Sequence, residues 1–131
     1  MVGLKKGDTV ADVGSGSGYF TFRFAGLVGD VGHVYAIDTN NRHIEYVARV
    51  ADKLNIKNVE TVRGSIDGFK VANKVDYVFM CSLYHILYGY IREEQRDPFI
   101  ASVKNALKQD GRFIVVDNAL VNDETLPYHG P

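Results

Sequence analysis

The stretch from Val10 to Phe20, reading Val-Ala-Asp-Val-Gly-Ser-Gly-Ser-Gly-Tyr-Phe, holds the residues whose types and spacing speak most directly of chemistry. An apolar run that breaks into closely spaced glycines lets a backbone approach a ligand where a side chain would collide. If a helix follows, its free N–H groups face the same ligand. Two ligand classes use this device. Dinucleotides call for Gly-x-Gly-x-x-Gly, in which the third glycine permits close helix packing. Here Tyr19 holds that third place and the spacing is Gly14-x-Gly16-x-Gly18, preceded by an acid, Asp12. A second acid, Asp38, follows 20 residues after Gly18 at the end of another apolar run. A carboxylate there can accept hydrogen bonds from both hydroxyls of a ribose, each worth roughly 1.5–3 kcal/mol to a charged acceptor. The plainer alternative is an exposed aspartate that helps Asn40 and Asn41 to start a helix. The order of run, glycines, helix, run and acid favours the ribose role.

The elements that must carry these residues follow from the changing apolar period. Thr9–Val13 is a short strand that stops at the glycines. Phe20, Phe24, Leu27 and Val28 then fall on one face of a helix. The same segment alternates at Phe20, Phe22 and Phe24, and only the need for a helix between two strands decides the reading. His33–Ile37 is a second strand, ending at Asp38. From Asn40 a helical stripe of Ile44, Val47, Ala48, Ala51 and Leu54 is clear. Asn58–Arg63 and Val75–Met80 are the third and fourth strands. Asp97-Pro98 reads as the N-cap and first residue of a helix that buries Phe99, Val103 and Ala106. Gly111 reads as its stop, and Arg112–Val116 as a fifth strand. Alternating strands and helices imply an α/β fold with a mostly parallel sheet, and runs of adjacent apolar residues imply that both sheet faces are covered.

The chain has 131 residues, the size of a single domain, with 46% hydrophobic and 24% charged residues. Fifteen basic against sixteen acidic residues leave a net charge of −1, so no one-signed field steers it to nucleic acid or an anionic membrane. Neither a signal peptide nor a membrane span is read, and the single cysteine, Cys81, excludes an intrachain disulfide. A cytoplasmic protein is expected. His33, His43, His85 and His129 have no metal-ligand spacing with each other or with Cys81, so no metal site is read.

On four segments the sequence resembles the class I S-adenosylmethionine-dependent methyltransferases: Asp12–Gly18, Asp38, Val75–Leu87 and Leu107–Val116. The resemblance runs from Gly7 to Asp117 and is nearest to the small-molecule branch of that family. It implies a Rossmann-like three-layer α/β/α fold with strand order 3-2-1-4-5, S-adenosylmethionine as cofactor and a small-molecule methyl acceptor as partner. Gly14, Ser15, Gly16 and Gly18 would line the methionine moiety and ribose, and Asp12 would hold the amino group, directly or through water. Asp38 would take the ribose hydroxyls, with Thr39 beside the adenine. After the third strand the family often has an aspartate directly behind a glycine. Here the run is Gly64-Ser65-Ile66-Asp67, so either Ser65 or Asp67 would meet the adenine amino group while Ile66 packs on the purine. Cys81 and Ser82 would face the methionine end. His85 is the candidate general base for an acceptor that arrives protonated. Beside that stands the plainer reading of a histidine packed on a local turn. Tyr84, Tyr88 and Tyr90 would wall the acceptor pocket.

Two further readings compete. The resemblance implies a final antiparallel hairpin beside the fifth strand, and the polar tail Asn118–Pro131 shows no two strands. That motivates a non-catalytic remnant that binds the cofactor or a partner chain, and a homodimer that covers the Phe113–Val116 edge. The other is a nicotinamide dinucleotide binder, disfavoured by the displaced third glycine.

Overall fold

The computed structural model describes residues 3–81 and 93–116. In chain order the elements are β1 (Thr9–Val13), α1 (Tyr19–Val28), β2 (His33–Asp38), α2 (Asn41–Lys53), β3 (Val59–Arg63), β4 (Val75–Cys81), α3 (Glu93–Ala106) and β5 (Leu107–Val116). The strands form one sheet of order β3-β2-β1-β4-β5, with every neighbouring pair parallel. The expected Rossmann-like α/β architecture is therefore what the chain forms. Among the described residues no helix is long and apolar enough to cross a membrane.

Alternation along the strands builds a core on each side of the sheet. Ala11, Val13, Tyr35, Ile37, Val78 and Met80 pack with Phe99 and Val103 of α3. Val10, Val34 and Phe79 pack instead with Phe24, Ala25 and Val28 of α1. Asp12 shares the face of Val10, so the one acid in β1 is carried under α1.

Three details differ from the sequence reading, each for a local reason. The buried face of α1 is Thr21, Phe24, Ala25 and Val28, while Leu27 is 45% exposed. The helix is thus rotated so that a hydroxyl, not Leu27, faces the strand. In α2 only Val47 and Ala51 of the stripe are fully buried, and Leu54 lies past the helix as its C-cap, just before Asn55 turns the chain at φ 58°. The third difference is at the end. Asp97-Pro98 does not start α3, which already runs from Glu93 and holds Pro98 inside it. As the sixth residue of α3, Pro98 lies past the four N-terminal N–H groups that lack partners, so the helix gives up one internal hydrogen bond there. Gly111 is not a helix stop but lies within β5, beside the register shift between Val75 and Tyr77. A Cβ on Gly111 would stand 3.0 Å from the Lys108 carbonyl and 3.1 Å from that of Val75. Its smallness therefore serves close backbone approach at an irregularity in the strand.

Candidate functional site

Everything the sequence marked before Val62 converges at the carboxyl ends of β1 and β2. Gly14, Gly16 and Gly18 all have positive φ, at 76°, 56° and 94°, which a non-glycine residue adopts only with strain. The turn they make is sewn to β2. The N–H groups of Gly14 and Ser15 both donate to the Ile37 carbonyl, at 2.7 and 3.0 Å, and Gly16 N–H donates to Asp38 Oδ2 at 2.8 Å.

Asp38 is the hub. Its Oδ1 accepts from Asn40 N–H at 2.9 Å, and its backbone carbonyl accepts from Gly64 N–H at 3.0 Å. Asn40 in turn caps α2 through the Arg42 N–H. The helix-starting role and the ligand role of Asp38 are therefore not exclusive. A carboxylate offers about four lone-pair positions, and two protein donors leave room for a diol. His43 Nδ1 approaches Asp38 Oδ2 at 3.4 Å, an ion pair when the ring is protonated.

Asp12 lies beneath the loop, 3% exposed, with Oδ2 accepting from the Thr21 hydroxyl at 2.7 Å. Burial pushes its carboxyl up from 3.8 to about 7; the nearby Asp38 charge adds to this, and the Thr21 bond opposes it. A buried acid perturbed chiefly by desolvation, with a second carboxylate nearby, is a pattern that clusters at functional sites.

The two inner glycines do different work. A Cβ on Gly16 would meet nothing within 4 Å, whereas one on Gly18 would strike the Phe22 ring at 2.7 Å and Val47 of α2 at 3.3 Å. Gly18 thus supplies the close helix packing that dinucleotide loops assign to their third glycine, one position early. Just before Gly16, Ser15 is 8% exposed and its buried Oγ has no hydrogen-bond partner among the described residues. Open space over Gly16, an unmatched hydroxyl at Ser15 and a carboxylate with spare lone pairs together fit a hydroxylated ligand carrying a polar tail.

Of the other expected site residues, Thr39 is exposed directly after Asp38. Ser65, Ile66 and Asp67 form a tight turn closed by Ser65 N–H to the Gly68 carbonyl at 2.8 Å. The Ser65 hydroxyl accepts the Asp67 N–H at 3.2 Å, so it serves its own turn, while Ile66 is 45% exposed and Asp67 is exposed. Cys81 ends β4 opposite Val116. Ser82, Tyr84, His85, Tyr88 and Tyr90 lie outside the described residues. A broad groove between the Gly64–Ala72 segment and Ser102, Asn105 and Ala106 of α3 includes Ser65 and Asp67 but none of Asp12, Gly16 or Asp38. It is separate from the loop site. Two residues with a place in the site went unmarked. His43 stands in the sequence only as one histidine without metal-ligand spacing. Thr21 carried a usable signal, a lone hydroxyl between Phe20 and Phe22 in an otherwise apolar turn.

A parallel sheet of order 3-2-1-4-5, with a glycine turn and an acid at the ends of the strands beside the switch point between β1 and β4, defines a Rossmann-like fold, in which ligands bind at that switch point. The chain belongs to the methyltransferase-domain family, whose model matches residues 4–129. It is 29% identical over 118 residues to a ubiquinone/menaquinone biosynthesis C-methyltransferase of Teredinibacter turnerae, covering 89% of this chain and 45% of that protein. It is 34% identical over 80 residues to a probable cobalt-precorrin-6B C(15)-methyltransferase of Saccharolobus solfataricus, covering 59% of this chain and 40% of that protein. The crystal structure of an S-adenosylmethionine-dependent methyltransferase from Aquifex aeolicus superposes with a TM-score of 0.68 at 33% identity, over 81% of this chain and 54% of that one. The chain thus spans about half the length of the curated relatives it matches.

Proposed function

We propose that this chain binds S-adenosylmethionine at the β1–β2 end of the sheet and directs its methyl group to a small-molecule acceptor. The observation that carries the reading is the Gly16–Asp38 clamp, with open space over Gly16 and the unmatched Ser15 hydroxyl beside it. When bound, the cofactor's sulfonium supplies an already electrophilic methyl group. What remains for the protein is to hold that group in line with the acceptor and exclude water. In this reading Asp38 takes the ribose hydroxyls, Ser15 and the Gly14–Gly18 backbone hold the polar tail, and Asp12 answers its amino group. Thr39, with Ile66 and either Ser65 or Asp67, flanks the adenine. Cys81 and Ser82 border the methionine end, and His85 is the base for a protonated acceptor.

The direct test is a thermal shift. S-adenosylmethionine or S-adenosylhomocysteine at 100 times its Kd adds about 2.7 kcal/mol to stability and raises Tm, and NAD leaves it unchanged. A shift with NAD alone would transfer the site to the dinucleotide reading. Methyl transfer across a panel of acceptors then decides between an enzyme and a cofactor-binding remnant.

The two glycines separate ligand contact from packing. Gly16→Ala should fold, losing about 1–2 kcal/mol for its left-handed backbone, and bind S-adenosylhomocysteine at least tenfold more weakly. Gly18→Ala carries the same backbone penalty plus a collision with Phe22 and Val47, and should show the lower Tm of the two. Calorimetric titration and melting curves on both variants check the pair. Equal affinities for Gly16→Ala and the parent would remove Gly16 from the ligand.

A further inference from the structure

Asp12 and Thr21 sit nine positions apart, on a strand and a helix that the glycine loop separates, and both are enclosed, at 3% and 0% exposed. A threonine inside a helix commonly returns its hydroxyl to a carbonyl of its own preceding turn. Thr21 instead reaches out of α1 to β1 and donates to Asp12 Oδ2 at 2.7 Å. At a site this dry, an apolar side chain of the same shape would fill the space equally well, so the hydroxyl is there for the carboxylate. We propose that Thr21 is a positioning residue for the cofactor site, its hydroxyl fixing the Asp12 carboxyl group and favouring its charged form for the ligand's amino group. The inference rests on the reading of Asp12 as the group that answers that amino group.

The surroundings explain why such help is needed. Across the sheet Asp12 pairs with Ala36 of β2 and Phe79 of β4, neither of which can stabilise a charge. Among the described residues, the titratable groups on that side include Asp38 at the end of β2, His43 of α2 beyond it, Tyr77 and Cys81 two residues either side of Phe79, and the exposed Tyr19 and Arg23 of α1. Burial and, less strongly, the Asp38 charge work against a negative Asp12, and among the described residues the Thr21 bond works for it. A carboxylate held at one oxygen keeps the other for a ligand. The same bond also ties the first turn of α1 to β1, so the loop between them is fixed at both ends.

The experiment compares the parent, Thr21→Val and Thr21→Ser by calorimetric titration with S-adenosylhomocysteine from pH 6 to pH 9. Carbon-13 carboxyl titration of Asp12 is run on the unliganded proteins alongside. Loss of one hydrogen bond to a charged acceptor moves the Asp12 midpoint up by about one pH unit. From a midpoint of about 7, that makes Thr21→Val bind about fivefold more weakly than the parent at pH 7 and equally at pH 9. The ligand's own titration cancels in this ratio. Thr21→Ser should restore both the midpoint and the affinity. A loss of the same size at every pH would assign Thr21 a structural role and overturn the proposal, as would an unmoved Asp12 midpoint. If valine does not fold, Thr21→Ala removes the hydroxyl without adding bulk, and the same two outcomes decide. A parent protein that binds no S-adenosylhomocysteine at any pH overturns the underlying reading, and does so before any variant is made.

Discussion

Asp38→Ala is expected to weaken S-adenosylhomocysteine binding at least a hundredfold. Two ribose hydroxyls donating to a charged acceptor are worth roughly 1.5–3 kcal/mol each, and about 3 kcal/mol in total is already a factor of more than a hundred. The loss is compounded because the carboxylate also positions the site. Its Oδ2 holds Gly16 N–H at 2.8 Å and its Oδ1 holds Asn40 N–H at 2.9 Å. Alanine leaves both donors without their acceptor, frees the glycine turn at its middle and weakens the entry to α2. Asp38→Asn is the instructive control. It keeps the shape, but an amide turns an NH2 group toward one of two backbone donors, so one contact becomes donor against donor. Its affinity should fall between the parent and alanine. Calorimetric titration measures the effect, and melting curves confirm that the variants are folded. A folded Asp38→Ala protein within threefold of the parent would remove Asp38 from the ribose.

The parts of the site that can be read from the chain alone are those in which one residue type answers one local requirement. Glycines at 14, 16 and 18 mark positive φ, and an apolar run ending in Asp38 marks a strand that delivers an acid to its carboxyl end. The parallel order follows from the crossovers. What is not legible depends on rotation and register, which no local signal sets. Leu27 and Thr21 both fit a helical period in α1, and only packing against Phe79 and Val34 selects the face that buries Thr21. The Pro98 and Gly111 signals failed because each residue type has two uses. Proline starts helices but also survives near their beginnings, and glycine ends helices but also permits backbones to touch. The division of labour between Gly16 and Gly18 needs the position of α2, a partner 29 residues beyond Gly18 at Val47.

Asp12→Asn is expected to make the protein more stable near neutral pH while impairing the cofactor site. The Asp12 carboxyl is raised from 3.8 to about 7, chiefly by burial, so the folded state binds this proton more tightly than the unfolded chain does. The contribution of Asp12 is therefore fully present below about pH 4. Between pH 4 and pH 7 the unfolded carboxyl ionises while the buried one stays protonated, and stability falls by about 1.4 kcal/mol per pH unit. Above pH 7 both states are ionised and no more is lost. The accumulated deficit is on the order of 4 kcal/mol, which corresponds to about 10 °C or more in Tm for a domain of this size. Asparagine does not titrate, and its carbonyl can still accept the Thr21 hydroxyl, so the variant should escape that loss. Urea unfolding of both proteins at half-unit steps from pH 5 to pH 8 isolates the effect, because every other titrating group cancels in the difference. The curves should separate steadily up to pH 7 and then run parallel; curves parallel throughout would show that Asp12 is an ordinary ionised carboxylate. A buried acid that costs stability at neutral pH has no structural reason to be there in place of its amide. In the proposed reading the reason is its charge, which a ligand's amino group would answer and asparagine cannot supply.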